Sequence, residues 1–568
     1  MLGGVNVKQK SLLLIVLTLV LSLFLAACSG SNNAGTDTKN TNNETNETNT
    51  GNNGEEDEED ATTGEPVAGG DLVLGSTGSP TMFNPLYSAD TASSAIEGFI
   101  FDGLLTSDTS FETQLNMAES WDISEDDLVH TLKIKEGIKF HDGETLDADD
   151  VVFTLSVPLS EDYDGPRAGY FEKIEKVEKI DDLTVQVTLN AVDPTIHIAL
   201  GYPILPEHIL GEVAIADLGE YTEFNTKNPI GAGPFKFETW EDGQYVKVVA
   251  NDDYWNGRPY LDSLTYRIIP DADALMTALA AGDVHYYTVP ASDIATVKEW
   301  EANGQLKVES GLALSYTFLG YNLRNPLFED KKVRQALTHA LDRELIVESV
   351  MDGDGEVADV PESPLSWAYD EDVPRFEYDV EKAKALLEEA GWTPGADGTL
   401  EKDGQKFEFT LKTNQGNKVR EDIAVVVQEQ FSELGIKVTP DIMEWSAFLA
   451  DIDPPAWNFE AIILGWALST DPDPSGIFHS KEIEEGLNFV GWSNSEADAL
   501  MDEANLTMDR DERAEKIQGI NRIIAEEQVY TFLYYPNAHR AMPTNLEGFE
   551  FHARAEHYNI HKWWLNNN

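Results

Sequence analysis

Phe459-Glu460-Ala461-Ile462-Ile463-Leu464-Gly465-Trp466-Ala467-Leu468-Ser469-Thr470-Asp471-Pro472-Asp473 is the stretch on which the reading of this chain turns. Its first half, Phe459 to Leu464, is a short apolar run between Pro454-Pro455 and Gly465, the pattern of a buried strand. Gly465 removes a side chain where another backbone could approach, and Trp466 offers a flat apolar wall. Asp471 and Asp473 put negative charge in a loop stiffened by Pro472 and Pro474. A strand edge, an aromatic wall and a fixed carboxylate suit the amino end of an extended peptide. The same residues also fit a buried strand followed by an ordinary Asp-Pro turn.

At 568 residues the chain exceeds what one hydrophobic core serves, so two or three lobes are expected, and 41% hydrophobic residues suffice to build them. The 39 basic residues against 103 acidic ones, net charge -64, argue against nucleic-acid binding, because each phosphate contact needs a cation. The acids read as a solvated surface that keeps an exported protein soluble. No His-Glu-x-x-His and no Gly-x-Ser-x-Gly occurs, which removes the simplest routes to an extracellular hydrolase. Asp352-Gly353-Asp354-Gly355-Glu356 starts like a calcium loop but has Val357 where the turn needs glycine. Neither a metal nor a cofactor is expected.

Alternation at Leu72 and Leu74, at Leu128 to Ile134 and at Thr184 to Leu189 predicts strands, the last two in a small, mostly β region between about Leu115 and Tyr221. His141, in Phe140-His141-Asp142-Gly143, is isolated from other ligand types and reads as a turn residue. From Tyr316 onward helices alternate with strands, an α/β pattern. Asp330 caps a helix with Val333, Ala336 and Leu337 on one face, Asp379 caps another, and a helix from about Asp509 to Glu527 leads to a strand from Val529 to Tyr535.

The amino-terminal residues carry their own signal. Lys8 and Lys10 precede an apolar segment, Leu12 to Ala27, ending in Leu25-Ala26-Ala27-Cys28, which resembles a bacterial lipobox. The resemblance implies a signal peptide over 1–27, cleavage before Cys28 and a lipid on its sulfur; an uncleaved signal anchor is the alternative. Cys28 is the sole cysteine, so no intramolecular disulfide is possible. Residues 28–68 are Ser, Asn, Thr, Gly and acid and read as a disordered tether spanning about 35 Å as a flexible coil.

Five phrases in order, Ala118-Glu119-Ser120-Trp121-Asp122-Ile123-Ser124, Phe140-His141-Asp142-Gly143, Gly231-Ala232-Gly233-Pro234-Phe235, Asn251-Asp252-Asp253-Tyr254-Trp255-Asn256-Gly257 and Phe328-Glu329-Asp330-Lys331-Lys332-Val333-Arg334-Gln335-Ala336-Leu337, resemble the peptide-binding lipoproteins of ABC importers, the family 5 extracellular solute-binding proteins. The resemblance implies a periplasmic-binding-protein-like (type II) α/β clamp with an inserted mostly-β lobe. Lobe I is then 69–112, 226–315 and 536–568, lobe II is 113–225 and lobe III is 316–535, with hinges near residues 230 and 535. It implies that a peptide adds itself as a strand between lobes I and III, so that main-chain groups carry the affinity whatever the side chains. By position, Gly465 and Ala467 would supply backbone partners, Trp466 a wall, and Asp471 a carboxylate for the α-ammonium. Better-known members carry that acid about two residues closer to the tryptophan, so Asp473 or a repositioned loop is the alternative. Trp445 and Tyr316 are pocket aromatics on this reading, with core packing as their other assignment, and Arg420, Lys418 and Arg324 are candidate partners for a ligand carboxylate. The protein expected is a monomeric, non-enzymatic lipoprotein, anchored by Cys28 to the outer face of the cell membrane, that delivers peptides to a membrane permease. An oligosaccharide or a nickel complex is the alternative cargo, and an extracellular hydrolase the alternative class.

Overall fold

The computed structural model describes residues 65–484 and 486–567. The signal segment, Cys28 and most of the tether lie outside the described residues; residues 65–68 are exposed coil.

Strand β1 (Asp71–Ser76) buries Leu72 and Leu74, and helix α1 (Thr91–Ile100) starts where the Asp90 side chain accepts from the Ser93 amide at 2.7 Å. The helix stops at Ile100, where Phe101 leaves in extended backbone. The chain then forms an antiparallel sheet of β2 (Ala118–Ile123), β3 (Val129–Ile134), β4 (Ile174–Asp181) and β5 (Thr184–Leu189), in the order β2-β3-β5-β4. It returns as β6 (Phe235–Glu241), β7 (Tyr245–Ala250) and β8 (Ser263–Ile268), which complete the sheet β1-β8-β7-β6 with β1 parallel to β8. Leu132, Val185 and Val187 of the inserted sheet share one continuous core with Leu72, Phe99, Phe235 and Val246. Apolar burial therefore joins the inserted sheet to the sheet β1-β8-β7-β6.

Two of the sequence phrases meet at this junction. The His141 amide donates to the Gly231 carbonyl at 2.9 Å, and the Gly231 amide donates to His141 Nδ1 at 3.3 Å. With Nδ1 accepting, Nε2 carries the proton and donates to the Gly233 carbonyl at 3.1 Å. Burial pushes the imidazole down to about 4, so it stays neutral. The glycines are required: a Cβ on Gly231 would lie 2.1 Å from the Ile100 carbonyl oxygen, and one on Gly233 2.6 Å from it. A third phrase clamps Asp102, whose carboxylate accepts from the Tyr254 hydroxyl at 2.9 Å, the Trp255 indole at 3.0 Å and the Asn116 amide.

The chain then builds an eight-stranded sheet from β9 (Tyr287–Val289), β10 (Lys307–Leu312), β11 (Ser315–Tyr321), β12 (Gly355–Val357), β13 (Glu408–Asn414), β14 (Lys437–Met443), β15 (Ala461–Ala467) and β16 (Tyr530–Met542). The path runs β9-β16-β11-β15-β13-β14, with β10 and β12 also on β16. Between strands lie α2 (Lys331–His339), α3 (Lys418–Ser432) and α4 (Arg510–Glu527), each started by the side chain of the residue before it. Strand β16 is longer than the run Val529 to Tyr535 predicted. Its first half pairs with β11 and β12, and from Asn537 to Met542 it pairs with β10 and β9. The handover falls at Pro536. There His539 Nε2 meets Asp354 Oδ2 at 2.7 Å, with the Asn537 amide on the other Asp354 oxygen at 3.2 Å.

Candidate functional site

Strand β15 extends past the run that predicted it. Gly465, Trp466 and Ala467 are its last three residues, paired antiparallel to Thr317, Tyr316 and Ser315 of β11. Glycine holds this place because a Cβ would lie 2.9 Å from the Tyr316 carbonyl oxygen and 2.8 Å from Arg420 Nη2. On the other side, β13 pairs in parallel with β15 only at Ala461 and Ile462. The two strands then diverge, bridged by the Thr413 hydroxyl donating to the Ile463 carbonyl at 3.0 Å.

Which backbone groups face the gap follows from alternation. The Glu460 carbonyl accepts from the Asn322 amide and the Leu468 amide donates to the Leu314 carbonyl, so even-numbered residues of this segment point toward β11. Ile463, Gly465 and Ala467 therefore point their N–H and C=O groups away from it. Among the described residues no hydrogen bond is made to the backbone of Gly465 or Ala467 on that side. Exposure rises along the strand, from fully buried Ile463 to exposed Ala467. The result is a short open strand edge inside a sheet whose other strands are paired.

The gap opens at the carboxyl ends of the parallel strands β13 and β15, the crevice in which α/β sheets bind ligands. Helix α3 starts there with Asn417 as its cap, and Arg420 of its first turn lies along the gap. Arg420 Nη1 donates to Asn414 Oδ1 at 2.9 Å, Nε has no partner, and no carboxylate pairs with it among the described residues. Burial lowers its affinity for the proton, although a guanidinium stays charged. The other two candidate cations are committed elsewhere: Lys418 pairs with Asp422 on the helix surface, and Arg324 lies over the Trp457 ring at 4.2 Å while donating to the Phe489 carbonyl.

The aromatic candidates divide. Trp466 is half-buried and stacks on Phe489 with centroids 5.5 Å apart, forming a packed aromatic pair at the end of β15. Trp445 heads a short helix just beyond β14, on the rim, and is 45% exposed. Tyr316 is 1% exposed, packed between Phe318 and Phe532, with its hydroxyl unpartnered among the described residues. It belongs to the core under the strand.

The acidic turn is built differently from what its sequence suggested. Asp471 is buried and its carboxylate meets Arg513 of α4 in a bidentate pair, Nη1 to Oδ2 at 2.5 Å and Nη2 to Oδ1 at 2.8 Å. The side chains are 4% and 6% exposed. Burial works against the guanidinium's charge, and Asp471 more than offsets it. Oδ1 also accepts the Asp473 amide at 3.1 Å, while exposed Asp473 turns its own Oδ1 onto the amide and hydroxyl of Ser475. Close by lies Glu362, whose carboxyl burial pushes up to about 8, so it is protonated at neutral pH; Asp193 and His197, from the segment that follows β5, are near enough to interact electrostatically with the pair. Arg513 and Glu362 carry no sequence signal of their own. One sits among ordinary charged helix residues, and the other in a proline-rich loop.

Residues 112–482 match the family described as bacterial extracellular solute-binding proteins, family 5 Middle. The chain is 51% identical to the oligopeptide-binding protein AppA of Bacillus subtilis over 570 residues, covering 98% of this chain and 99% of that one. The structure of AppA in complex with a nonapeptide is similar over 88% of this chain and 100% of that chain, with 54% identity and a TM-score of 0.69. The ABC transporter substrate-binding protein CtaP of Listeria monocytogenes, 28% identical over 88% of this chain and 99% of its own, superposes with a TM-score of 0.77.

Proposed function

This chain belongs to the family 5 bacterial extracellular solute-binding proteins, and from that premise we propose that it captures oligopeptides outside the cell and hands them intact to an ABC permease. The observation that carries the proposal is the open edge of β15. Gly465 and Ala467 hold out N–H and C=O groups with no partner among the described residues, and an extended peptide brings the complementary set whatever its sequence. Arg420, with its unpartnered Nε, then receives a ligand carboxylate or carbonyl, and Trp466 and Trp445 flank the entering side chains. The relative of similar length that carries a nonapeptide supports the same cargo.

Closure fits the same reading. The handover of β16 at Pro536, with the His539–Asp354 contact beside it, supports a hinge near residue 535 on this reading. Ligand shifts that hinge only by binding the closed form more tightly. Export and lipid attachment at Cys28 complete the proposal, since a receptor serving a permease must stay near the membrane.

Mass spectrometry of the ligands released from purified protein tests this. Peptides of varied sequence, recovered uncleaved, are expected. A single defined small molecule, a sugar or a metal complex as the released ligand would overturn the assignment.

A further inference from the structure

Peptide receptors that hold an α-ammonium on a buried carboxylate need that carboxylate free. Here the buried acid of the turn is already matched. Both Asp471 oxygens are taken by the two terminal nitrogens of Arg513, and Oδ1 has a second donor in the Asp473 amide. A carboxylate oxygen offers two acceptor directions, so Oδ1 is filled and a single direction on Oδ2 is left. Arg513 is itself fixed, its Nε donating to the Ala504 carbonyl at 3.1 Å from within the long helix α4.

The groups around the pair do not restore a buried negative charge. Protonated Glu362 contributes none, Asp193 is paired with Lys173 at 3.4 Å, and His197 is kept neutral by burial. Asp473 is exposed, and an exposed ion pair adds little.

We propose that the Asp471–Arg513 pair makes the amine end of the binding slot electrically neutral, so that this receptor takes peptides whose α-amine is blocked, or lies beyond the slot in a longer chain, about as readily as free-amine peptides. The ligand class is thus widened from free oligopeptides to acylated peptides and internal segments. Asp471 is on this view a positioning residue, locking the Asp-Pro-Asp-Pro turn onto α4, and affinity is left to main-chain pairing along β15. The inference rests on the peptide-capture reading above.

The test is a competition followed by native mass spectrometry. The full-length protein is offered an equimolar pair, one nonapeptide with a free amine and the same sequence N-acetylated and isotope-labelled. Occupancies within about fivefold are expected, the scale of a solvent-exposed charge contact. A free buried carboxylate would separate them by about ten- to a hundredfold. The second arm is Asp471→Asn. It is expected to lower the melting temperature by stranding Arg513 while leaving the ratio of the two peptides unchanged. A tenfold or greater preference for the free amine that Asp471→Asn abolishes would overturn the inference and leave peptide capture standing. Failure of both peptides to bind would overturn both.

Discussion

Ala467→Pro is expected to leave the protein folded and to weaken peptide binding by about a hundredfold or more, about 2.7 kcal/mol. The substitution is chosen by strand geometry. Residue 467 is the last of β15, is exposed, and by alternation aims its N–H away from β11, so a proline deletes no ladder hydrogen bond. Proline is tolerated at that kind of position, an edge whose N–H faces outward. The Leu468 amide, which does bond to the Leu314 carbonyl, is untouched. What is lost is the outward donor, and the ring fills the place that the donor's partner would occupy. Isothermal titration with a nonapeptide, beside a urea unfolding curve, separates the two effects. A wild-type binding constant in Ala467→Pro would mean that this edge does not read the ligand.

Arg334→Ala is expected to cost about 3–4 kcal/mol of folding stability, with peptide affinity of the remaining folded protein unchanged. Arg334 sits in α2, inside one of the sequence phrases that carry the family resemblance, and its side chain is 4% exposed. Its guanidinium donates to the carbonyls of Phe328 and Glu329 at 2.8 and 2.9 Å and to those of Glu527 and Gln528 at 2.7 to 3.1 Å. The last two are the end of α4, where Gln528 leaves the helix in a left-handed conformation at φ 44°. Arg334 therefore caps the helix that also supplies Arg513, and a cation is favoured there by the helix dipole. Alanine leaves four carbonyls without that donor. A shift of the urea midpoint with an unchanged slope would register the loss; a change below about 1 kcal/mol would show that water replaces the guanidinium.

Much of the fold was legible because local signals agreed with the final packing. Asp330, Asp379 and Asp509 start the helices they were expected to start. Boundaries were less legible where tertiary contacts decide them. Gly465 reads as a strand breaker in one dimension, but in the sheet it is the residue that lets β15 run on beside Tyr316. The sequence phrases gave the family but say little about ligand. His141 with Gly231, Tyr254 and Trp255 with Asp102, and Arg334 with the end of α4 are all internal fastenings.

The candidate site was half legible for the same reason. The apolar run to Leu464 made the strand legible, whereas Gly465, Trp466 and Ala467 entered as a set through the family resemblance; alternation within the strand is a local property. The charge state of the turn is not local. Asp471 and Arg513 are 42 residues apart, and nothing between them announces that the helix will deliver a guanidinium to the turn. Tyr316 illustrates the limit from the other side, since a tyrosine opposite Trp466 in the ladder lies under the sheet with its ring in the core.

Residue-resolved hydrogen exchange with and without a bound peptide tests the central claim most directly. A ligand that pairs with the open edge of β15 is predicted to slow exchange at the amides of Gly465 and Ala467, with a smaller change at Trp466, which already faces β11. Tight binding of a peptide that leaves the Gly465 and Ala467 amides exchanging at their unliganded rates would contradict it.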